Sequence, residues 1–266
     1  MTDVESQFAP IVENVLASLN IPGDRIPESK RRTPDYLISL PKKNSLLELK
    51  IKSDNPDQIE TSHAVMASGD IGSRSKTLGP TNTVSRVISD GAKQMIEHDP
   101  QNFCHHLLWL HASGYDARAH WEQLISTLYG SQRLVSLDSG RMIQCYFFHD
   151  SEFWRYRKTL AAAFVSEWES EGNLSVKLCI NPHYSKKSEF RDSEIYTALS
   201  NALLDVEQIE DGLEVFFMDG KCDRKDSHSV IEYLRTKYSV NHLQTFDMGY
   251  QYAGLWVEQS EDSERT

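Results

Sequence analysis

Long apolar runs, close cysteine pairs and an excess of basic residues are all missing from this chain of 266 residues. No apolar stretch reaches the roughly 18 residues that a transmembrane helix needs. The N-terminus is acidic and lacks the pattern of a secretory signal peptide. We therefore expect a cytoplasmic location and no membrane partner.

Cysteine motifs and the common nucleotide or nucleophile motifs are also missing. The four cysteines, Cys104, Cys145, Cys179 and Cys222, are widely spaced and form no CxxC pair. A structural zinc site is therefore not expected, and buried reduced thiols are the simpler interpretation. The sequence contains no GxSxG elbow, no P-loop and no dinucleotide fingerprint. The usual signatures of α/β-hydrolases, P-loop NTPases and dinucleotide-binding enzymes are therefore absent.

The chain has a shortage of positive charge, with 28 Lys and Arg against 39 Asp and Glu, which gives a net charge of −11. This balance counts against a large, sequence-independent grip on a polyanion. It does not exclude a nucleic-acid substrate, since a local basic rim around an acidic metal site is enough. A homodimer or a protein partner that supplies affinity is also compatible with the acidity.

The periodicity of the apolar residues predicts an α/β protein with a mixed sheet flanked by helices. Helices are predicted at 5–19, 84–97, 117–129, 152–165, 190–204 and 227–238. Strands are predicted at 36–40, 45–51, 103–112, 133–137, 142–148, 174–180, 213–218 and 242–248. Residues 53–83 are polar and rich in Gly and Ser, which predicts a long loop.

Two charged residues stand out on the predicted strand 45–51. Glu48 and Lys50 are two residues apart, so both side chains point to one face, while Leu47, Leu49 and Ile51 point to the other. The turn at 41–44 brings Asp35 back toward this strand. Asp35 and Glu48 can then share one Mg²⁺ or Mn²⁺ ion, with the Leu49 carbonyl as a further ligand.

This arrangement resembles the signature of the PD-(D/E)XK nuclease superfamily, carried here by Pro34-Asp35 and Glu48-Leu49-Lys50. The family core runs helix, three-stranded meander, helix, strand, and residues 1–112 follow that order. The first meander strand lies near Ile26 or is very short. The resemblance implies a restriction-endonuclease-like core at 1–130 and a Mg²⁺-dependent nuclease. Residues 131–257 would form an α/β half that extends or packs on the core, and 258–266 an acidic disordered tail.

The resemblance also implies roles for individual residues. Asp35 and Glu48 would bind the metal, and Lys50 would serve catalysis. Many members carry a glutamate on the first helix, for which Glu13 is the best match and Glu5 a weaker one. Many also carry Gln or Lys on the helix after the Glu-x-Lys strand, where we prefer Gln94 as the catalytic residue.

Basic residues surround the proposed site in sequence and can contact phosphates. The candidates for nucleic-acid binding are Arg31, Arg32, Lys42, Lys43, Arg74, Lys76 and Lys93. A solvated basic surface is an equally good interpretation of them. The resemblance favours DNA over RNA as the substrate, because most of the family acts on DNA, and by analogy alone it suggests a role in defence or DNA processing.

Several alternatives stay open. Glu-x-Lys by itself carries little information, since Glu28-Ser29-Lys30 repeats it in a loop. Glu48 and Lys50 can also be a solvated pair on an exposed hairpin, although a charge in so apolar a strand needs a reason. The chain can be a non-catalytic descendant of the nuclease fold that acts as an interaction or assembly module. It can also be an α/β interaction protein unrelated to nucleases.

Overall fold

The secondary structure is mixed α/β. The computed structural model describes residues 3–27, 32–169, 173–246 and 251–256. The helices are α1 (Asp3–Ser18), α2 (Pro56–Ala67), α3 (Asn82–His98), α4 (Ala117–Tyr129), α5 (Glu152–Arg155), α6 (Lys187–Arg191), α7 (Glu194–Ala198), α8 (Val206–Ile209) and α9 (Ser227–Tyr238). The strands are β1 (Gly23–Arg25), β2 (Tyr36–Ile38), β3 (Ser45–Lys52), β4 (Gly72–Thr77), β5 (His105–Ala112), β6 (Gln132–Ser136), β7 (Arg141–Tyr146), β8 (Leu160–Trp168), β9 (Leu174–Ile180), β10 (Leu203–Leu204), β11 (Val215–Phe217), β12 (Leu243–Thr245) and β13 (Gln251–Trp256).

A seven-stranded mixed sheet organises the fold, in the order β1-β2-β3-β5-β8-β9-β10. The first three strands form an antiparallel meander, and β5 and β8 then run parallel to β3. A four-stranded sheet, β11-β7-β6-β12, and the ribbon β13-β4 complete the described strands. The mixed sheet flanked by helices is therefore confirmed.

Alternating side chains of β3 divide the core into two layers. Leu47 and Leu49 pack with α1 on one face of the large sheet. Leu46 packs on the other face with α3 and α4. Each such leucine contributes roughly 1.5–3 kcal/mol when it is fully buried, so the register of β3 is strongly specified. That register decides which way Glu48 and Lys50 point.

Three predictions of secondary structure are wrong. The predicted helix 190–204 is divided among α6, α7, a 3₁₀ turn and the strand β10. Residues 53–83 contain α2 and β4 where a loop was predicted, and Asn55 caps α2 by accepting a hydrogen bond from the Asp57 N–H. The predicted helix 152–165 is only the short α5, followed by β8. Alanines favour a helix, but β8 is a strand with eight of its nine residues buried, so tertiary burial overrides the propensity.

The two halves of the chain share the large sheet. Strands β8, β9 and β10 follow residue 130 and continue the sheet that β1, β2, β3 and β5 begin. The domain boundary near 130 stays a prediction, and the predicted tail 258–266 lies outside the described residues. Within the described ranges, no helix is both long and apolar enough to cross a membrane.

Candidate active site

The site is centred on Glu48, whose carboxylate is 1% exposed. Glu48 Oε1 lies 2.5 Å from Lys50 Nζ, and Glu48 Oε2 accepts a hydrogen bond of 2.9 Å from Gln94 Nε2. The Lys50 side chain is 21% exposed and lies at the rim of the site. The strand β3 and the helix α3 thus bring together three residues that the sequence predicts to act together.

Asp35 lies beside the same stretch of β3. Its Oδ2 accepts a hydrogen bond of 2.7 Å from the backbone N–H of Leu49. The register pairs Tyr36 with Leu47, and one further step places Asp35 opposite Glu48. Directly opposite residues have Cβ atoms about 4.5–5.5 Å apart. The two carboxylates are therefore neighbours across the end of the β2–β3 ladder.

The backbone of Leu49 supports its predicted role as a ligand. In a strand, the N–H and C=O of one residue point to the same neighbouring side. Since the Leu49 N–H points at Asp35, the Leu49 carbonyl also faces the edge where β2 has ended. Two carboxylates and one carbonyl thus meet at one edge of the sheet.

Gln94 ties the two acidic segments together. Its Nε2 also donates a hydrogen bond of 2.7 Å to the carbonyl of Thr33, two residues before Asp35. One amide group therefore fixes the Thr33 backbone relative to the Glu48 carboxylate. This geometry makes Gln94 a positioning residue for both carboxylates.

Close approach of α3 to β3 depends on Gly91. A Cβ at this position would lie 2.7 Å from Leu108 Cδ2 and 3.4 Å from Glu48 Cγ. Glycine costs a helix about 1 kcal/mol relative to alanine. Its presence one turn before Gln94 is explained by the space that α3 needs to bring Gln94 to Glu48.

The two carboxylates of the site suit a magnesium ion, but the protein side chains do not form a complete coordination shell. Mg²⁺ usually keeps several waters and binds through one or two carboxylates, which Asp35 and Glu48 supply. Among the described residues, no group of three or more His, Cys, Asp or Glu side chains is arranged to hold a metal ion. A metal here would therefore be held partly by water and substrate oxygens.

Glu13 lies away from Glu48. The hydroxyl of Tyr36 donates to Glu13 Oε1 at 3.3 Å and to the Ala9 carbonyl at 3.2 Å. Tyr36 packs in the layer that α1 covers, whereas Glu48 faces α3. Burial and the Glu13 charge both raise the pKa of Tyr36. The structure therefore joins Glu13 to Tyr36, and its catalytic role stays a prediction.

The predicted phosphate-binding residues are scattered. Lys42 Nζ bonds the Asp192 carbonyl at 3.1 Å, and Lys43 Nζ lies 3.5 Å from Glu189 Oε1, so both side chains hold the region of α6. Arg32 and Lys93 are exposed. Arg31 lies outside the described residues, and Arg74 is described only as part of β4.

Lys76 belongs to a second, buried cluster that no local pattern in the sequence predicts. Its Nζ lies 2.7 Å from Asp116 Oδ2 and 3.2 Å from Asp54 Oδ1, and both carboxylates are fully buried. His120 Nε2 lies 3.0 Å from Asp54 Oδ1. Gly114, with φ of +96°, passes so close that a Cβ would overlap the Asp54 carboxylate. The ammonium group of Lys76, which was predicted to contact phosphate, therefore pairs with two carboxylates instead.

Electrostatics in this second cluster favours the ion-paired state. Burial tends to raise the pKa of Asp54, but hydrogen bonds from Lys76 and His120 outweigh it, so the pKa is lowered. Burial, then the charges of Lys52 and Lys76, lower the pKa of His120. At neutral pH Asp54 is therefore ionised and His120 neutral.

Comparisons of the chain with protein-family models, with curated proteins and with solved structures each found no match. The resemblance to nucleases therefore depends on the residues and geometry described above.

Proposed function

We propose that this protein is a metal-dependent nuclease that hydrolyses phosphodiester bonds, in DNA more readily than in RNA. One observation carries the proposal. The buried carboxylate of Glu48 contacts the ammonium group of Lys50 and the side-chain amide of Gln94. A second carboxylate, that of Asp35, accepts a hydrogen bond from the backbone N–H of Leu49.

The order of elements supports the same proposal. Helix α1, the meander β1–β3, helix α3 and the parallel strand β5 follow one another in the order that the family core requires. Helix α2 and strand β4 form an insertion between the meander and α3. The first meander strand, β1, is three residues long and immediately precedes Ile26.

Asp35, Glu48 and the Leu49 carbonyl would hold the Mg²⁺ or Mn²⁺ ion. When bound beside a phosphodiester, such an ion lowers the pKa of a coordinated water and offsets the negative charge that develops. Two side chains of the protein would supply the remaining functions. Lys50 places a positive charge at the rim of the site, where it can orient the attacking water and the phosphate. Gln94 keeps Glu48 and the Asp35 segment in register with each other.

Cleavage of supercoiled plasmid DNA and of RNA, with Mg²⁺ or Mn²⁺ added, tests the proposal. Lys50→Ala should reduce the rate by at least about 100-fold, the usual effect of losing one group that stabilises transition-state charge. Its circular dichroism spectrum should match the parent. The exposed Lys225 provides a matched control, since Lys225→Ala removes the same charge elsewhere. Parent-level cleavage by Lys50→Ala would refute the assignment.

A second candidate is a non-catalytic interaction module on the same fold. It is favoured by the burial of Glu48, both of whose oxygens accept bonds from protein groups. Calorimetric titration with Mn²⁺ separates the two candidates. Binding that Asp35→Ala and Glu48→Ala abolish, without cleavage of any DNA or RNA, would favour the module.

A further inference from the structure

Four segments of the chain meet at one edge of the large sheet, where the parallel strands β3, β5 and β8 begin. The register pairs Ser45 with His105 and His106 with Leu160, so the segments that precede these strands lie side by side. Strand β9 runs antiparallel to β8 and ends at the same edge, which brings the residues after β9 to this surface. We call it the edge surface, and it comprises residues 42–44, 102–104, 154–158 and 183–187.

Direct hydrogen bonds tie these segments together. Lys186 Nζ donates a bond of 2.8 Å to the carbonyl of Asn102, and Asn102 Nδ2 donates a bond of 2.9 Å to the carbonyl of Lys158. The carbonyl of Arg157 accepts a bond of 3.1 Å from the N–H of Ser185. Cations from different loops are therefore held close together.

Positive charge predominates on the edge surface. Arg157, Lys158 and Lys186 form no ion pair with any carboxylate in the described ranges, and Lys158 is exposed. Lys43 has one acidic partner, since its Nζ lies 3.5 Å from Glu189 Oε1. Burial, and then contact with the Lys186 side chain, lower the pKa of Lys43. In a chain of net charge −11, four cations beside one carboxylate form a local surface that attracts an anion.

Two aromatic side chains at the same edge are exposed. Trp154 is 47% exposed, and Phe103, which follows Asn102, is 76% exposed. The guanidinium carbon of Arg157 lies 4.5 Å from the centroid of a Trp154 ring, a cation–π contact that keeps this ring beside positive charge. Exposed rings among cations suit a single strand of nucleic acid, whose bases stack on the rings while its phosphates contact the cations. A duplex keeps its bases stacked inside and offers mainly its phosphates.

We propose that the edge surface binds single-stranded nucleic acid, with phosphates of the strand on Lys158 and Lys186. Bases of the strand would stack on Trp154 and Phe103. The surface is separate from the candidate active site, because Glu48 lies about 10 Å along β3 from this edge and faces α3. The proposal concerns binding alone and does not depend on the nuclease assignment.

Fluorescence anisotropy of a labelled oligothymidylate of about 12 nucleotides tests the phosphate contacts. The full chain is titrated in EDTA, so that no cleavage occurs, at salt concentrations from about 50 to 200 mM. Lys158→Gln should weaken binding and reduce the slope of log K against log salt by about 0.7, the effect of one lost phosphate contact on a single strand. Arg141 is an exposed cation at the start of β7. Arg141→Gln is the matched control and should leave the slope unchanged.

The aromatic contacts are tested with the same oligonucleotide. Trp154→Ala should weaken binding by about tenfold, as expected for the loss of one stacked base. Phe103→Ala repeats the test at a more exposed ring, where the fold depends less on the side chain. Neither variant removes a charge, so the salt slope should stay that of the parent. Trp168→Ala is the matched control, because Trp168 is 43% exposed and lies at the opposite end of β8.

Three results overturn the proposal. They are no saturable binding of the oligothymidylate up to about 100 μM at the lowest salt, equal affinity for the same strand annealed to oligoadenylate, and parent-like binding by both Lys158→Gln and Trp154→Ala. Binding to vesicles that contain phosphatidylserine, without binding to the oligonucleotide, would assign the surface to a membrane and also overturn it. Lys50→Ala should leave oligonucleotide binding unchanged, so failure of this proposal is distinct from failure of the nuclease assignment.

Discussion

Two lysine-centred clusters lie along one strand, one within β3 and one just beyond its end. In the first, Lys50 contacts the buried carboxylate of Glu48 and remains 21% exposed. In the second, Lys76 lies between two carboxylates, Asp54 and Asp116, that have no exposed surface. Both pair a lysine with buried acid, and the second lysine contacts carboxylates from two different segments of the chain.

The difference indicates what each cluster does. The second draws its members from the end of β3, from β4 and from the start of α4, so it fastens three separate segments together. The first draws Glu48 and Lys50 from one strand, and its partner Gln94 adds an amide rather than a charge. We infer that the Lys76 cluster serves stability, and that the Lys50 cluster can exchange its contacts for a metal and a phosphate.

The largest expected difference between the two clusters is in stability, and removing each lysine charge in turn tests it. Lys76→Met leaves two buried carboxylates without their cation and should cost about 3–5 kcal/mol of unfolding free energy. Lys50→Met leaves one carboxylate that still accepts from Gln94, and should cost roughly 1–2 kcal/mol. Urea denaturation at neutral pH measures both. Equal losses would show that the two clusters do not differ in this way.

The next effect concerns the approach of α3 to the first cluster. Gly91→Ala places a methyl group 2.7 Å from Leu108 Cδ2, so either α3 or Leu108 must shift. Overpacking costs about 1–3 kcal/mol, and the helix propensity of alanine returns up to about 1 kcal/mol, which leaves a net loss of roughly 1–2 kcal/mol. Both the unfolding free energy, measured by denaturation, and the rate of plasmid cleavage should fall.

Gly79→Ala is the matched control for Gly91→Ala, because nothing lies within 4 Å of the Cβ it would add. It should change the unfolding free energy little. If Gly91→Ala is as stable and as active as Gly79→Ala, the close packing of α3 does not position the site.

The two clusters also differ in how far the sequence predicts them. Glu48 and Lys50 interrupt an apolar strand at a spacing of two, so their common face follows from strand geometry alone. Asp35 follows from the turn between the strands. Asp54 and His120 are 66 positions apart, and their contact depends on how β3, β4 and α4 assemble. Local patterns carry no such information.

The errors in secondary structure have the same origin. In β8, the run Ala161-Ala162-Ala163 suits a helix, and only burial on both faces of the sheet makes it a strand. Helix α2 has few buried residues, so its apolar periodicity is weak. Asn55-Pro56 was a usable signal there, since Asn is a common N-cap and Pro suits the first helical position.

A smaller effect tests the role of the amide at Glu48. Gln94→Ala removes the bonds to Glu48 and to the Thr33 carbonyl, and should lower the cleavage rate about tenfold, which corresponds to about 1.4 kcal/mol. Gln123 is a matched control, because it donates to the Thr77 carbonyl at 2.6 Å from a neighbouring helix. Gln123→Ala should lose stability and retain cleavage. Equal cleavage by the two variants would remove Gln94 from the site.

The smallest effect is the pH dependence of the second cluster. The pKa of His120 is lowered by burial and by the charges of Lys52 and Lys76, so protonation is easier in the unfolded chain. The stability that neutral His120 allows is complete above its unfolded pKa of about 6.5 and is lost as the pH falls through that value. Asp54 extends the loss below about pH 4, because its pKa is lowered in the folded state. His120→Gln should therefore flatten the stability profile just below about pH 6.5, by less than about 1.4 kcal/mol for each pH unit. His228→Gln changes an exposed histidine and should leave the slope unchanged. A slope that His120→Gln does not alter would mean that this ring is not held neutral by the surrounding charges.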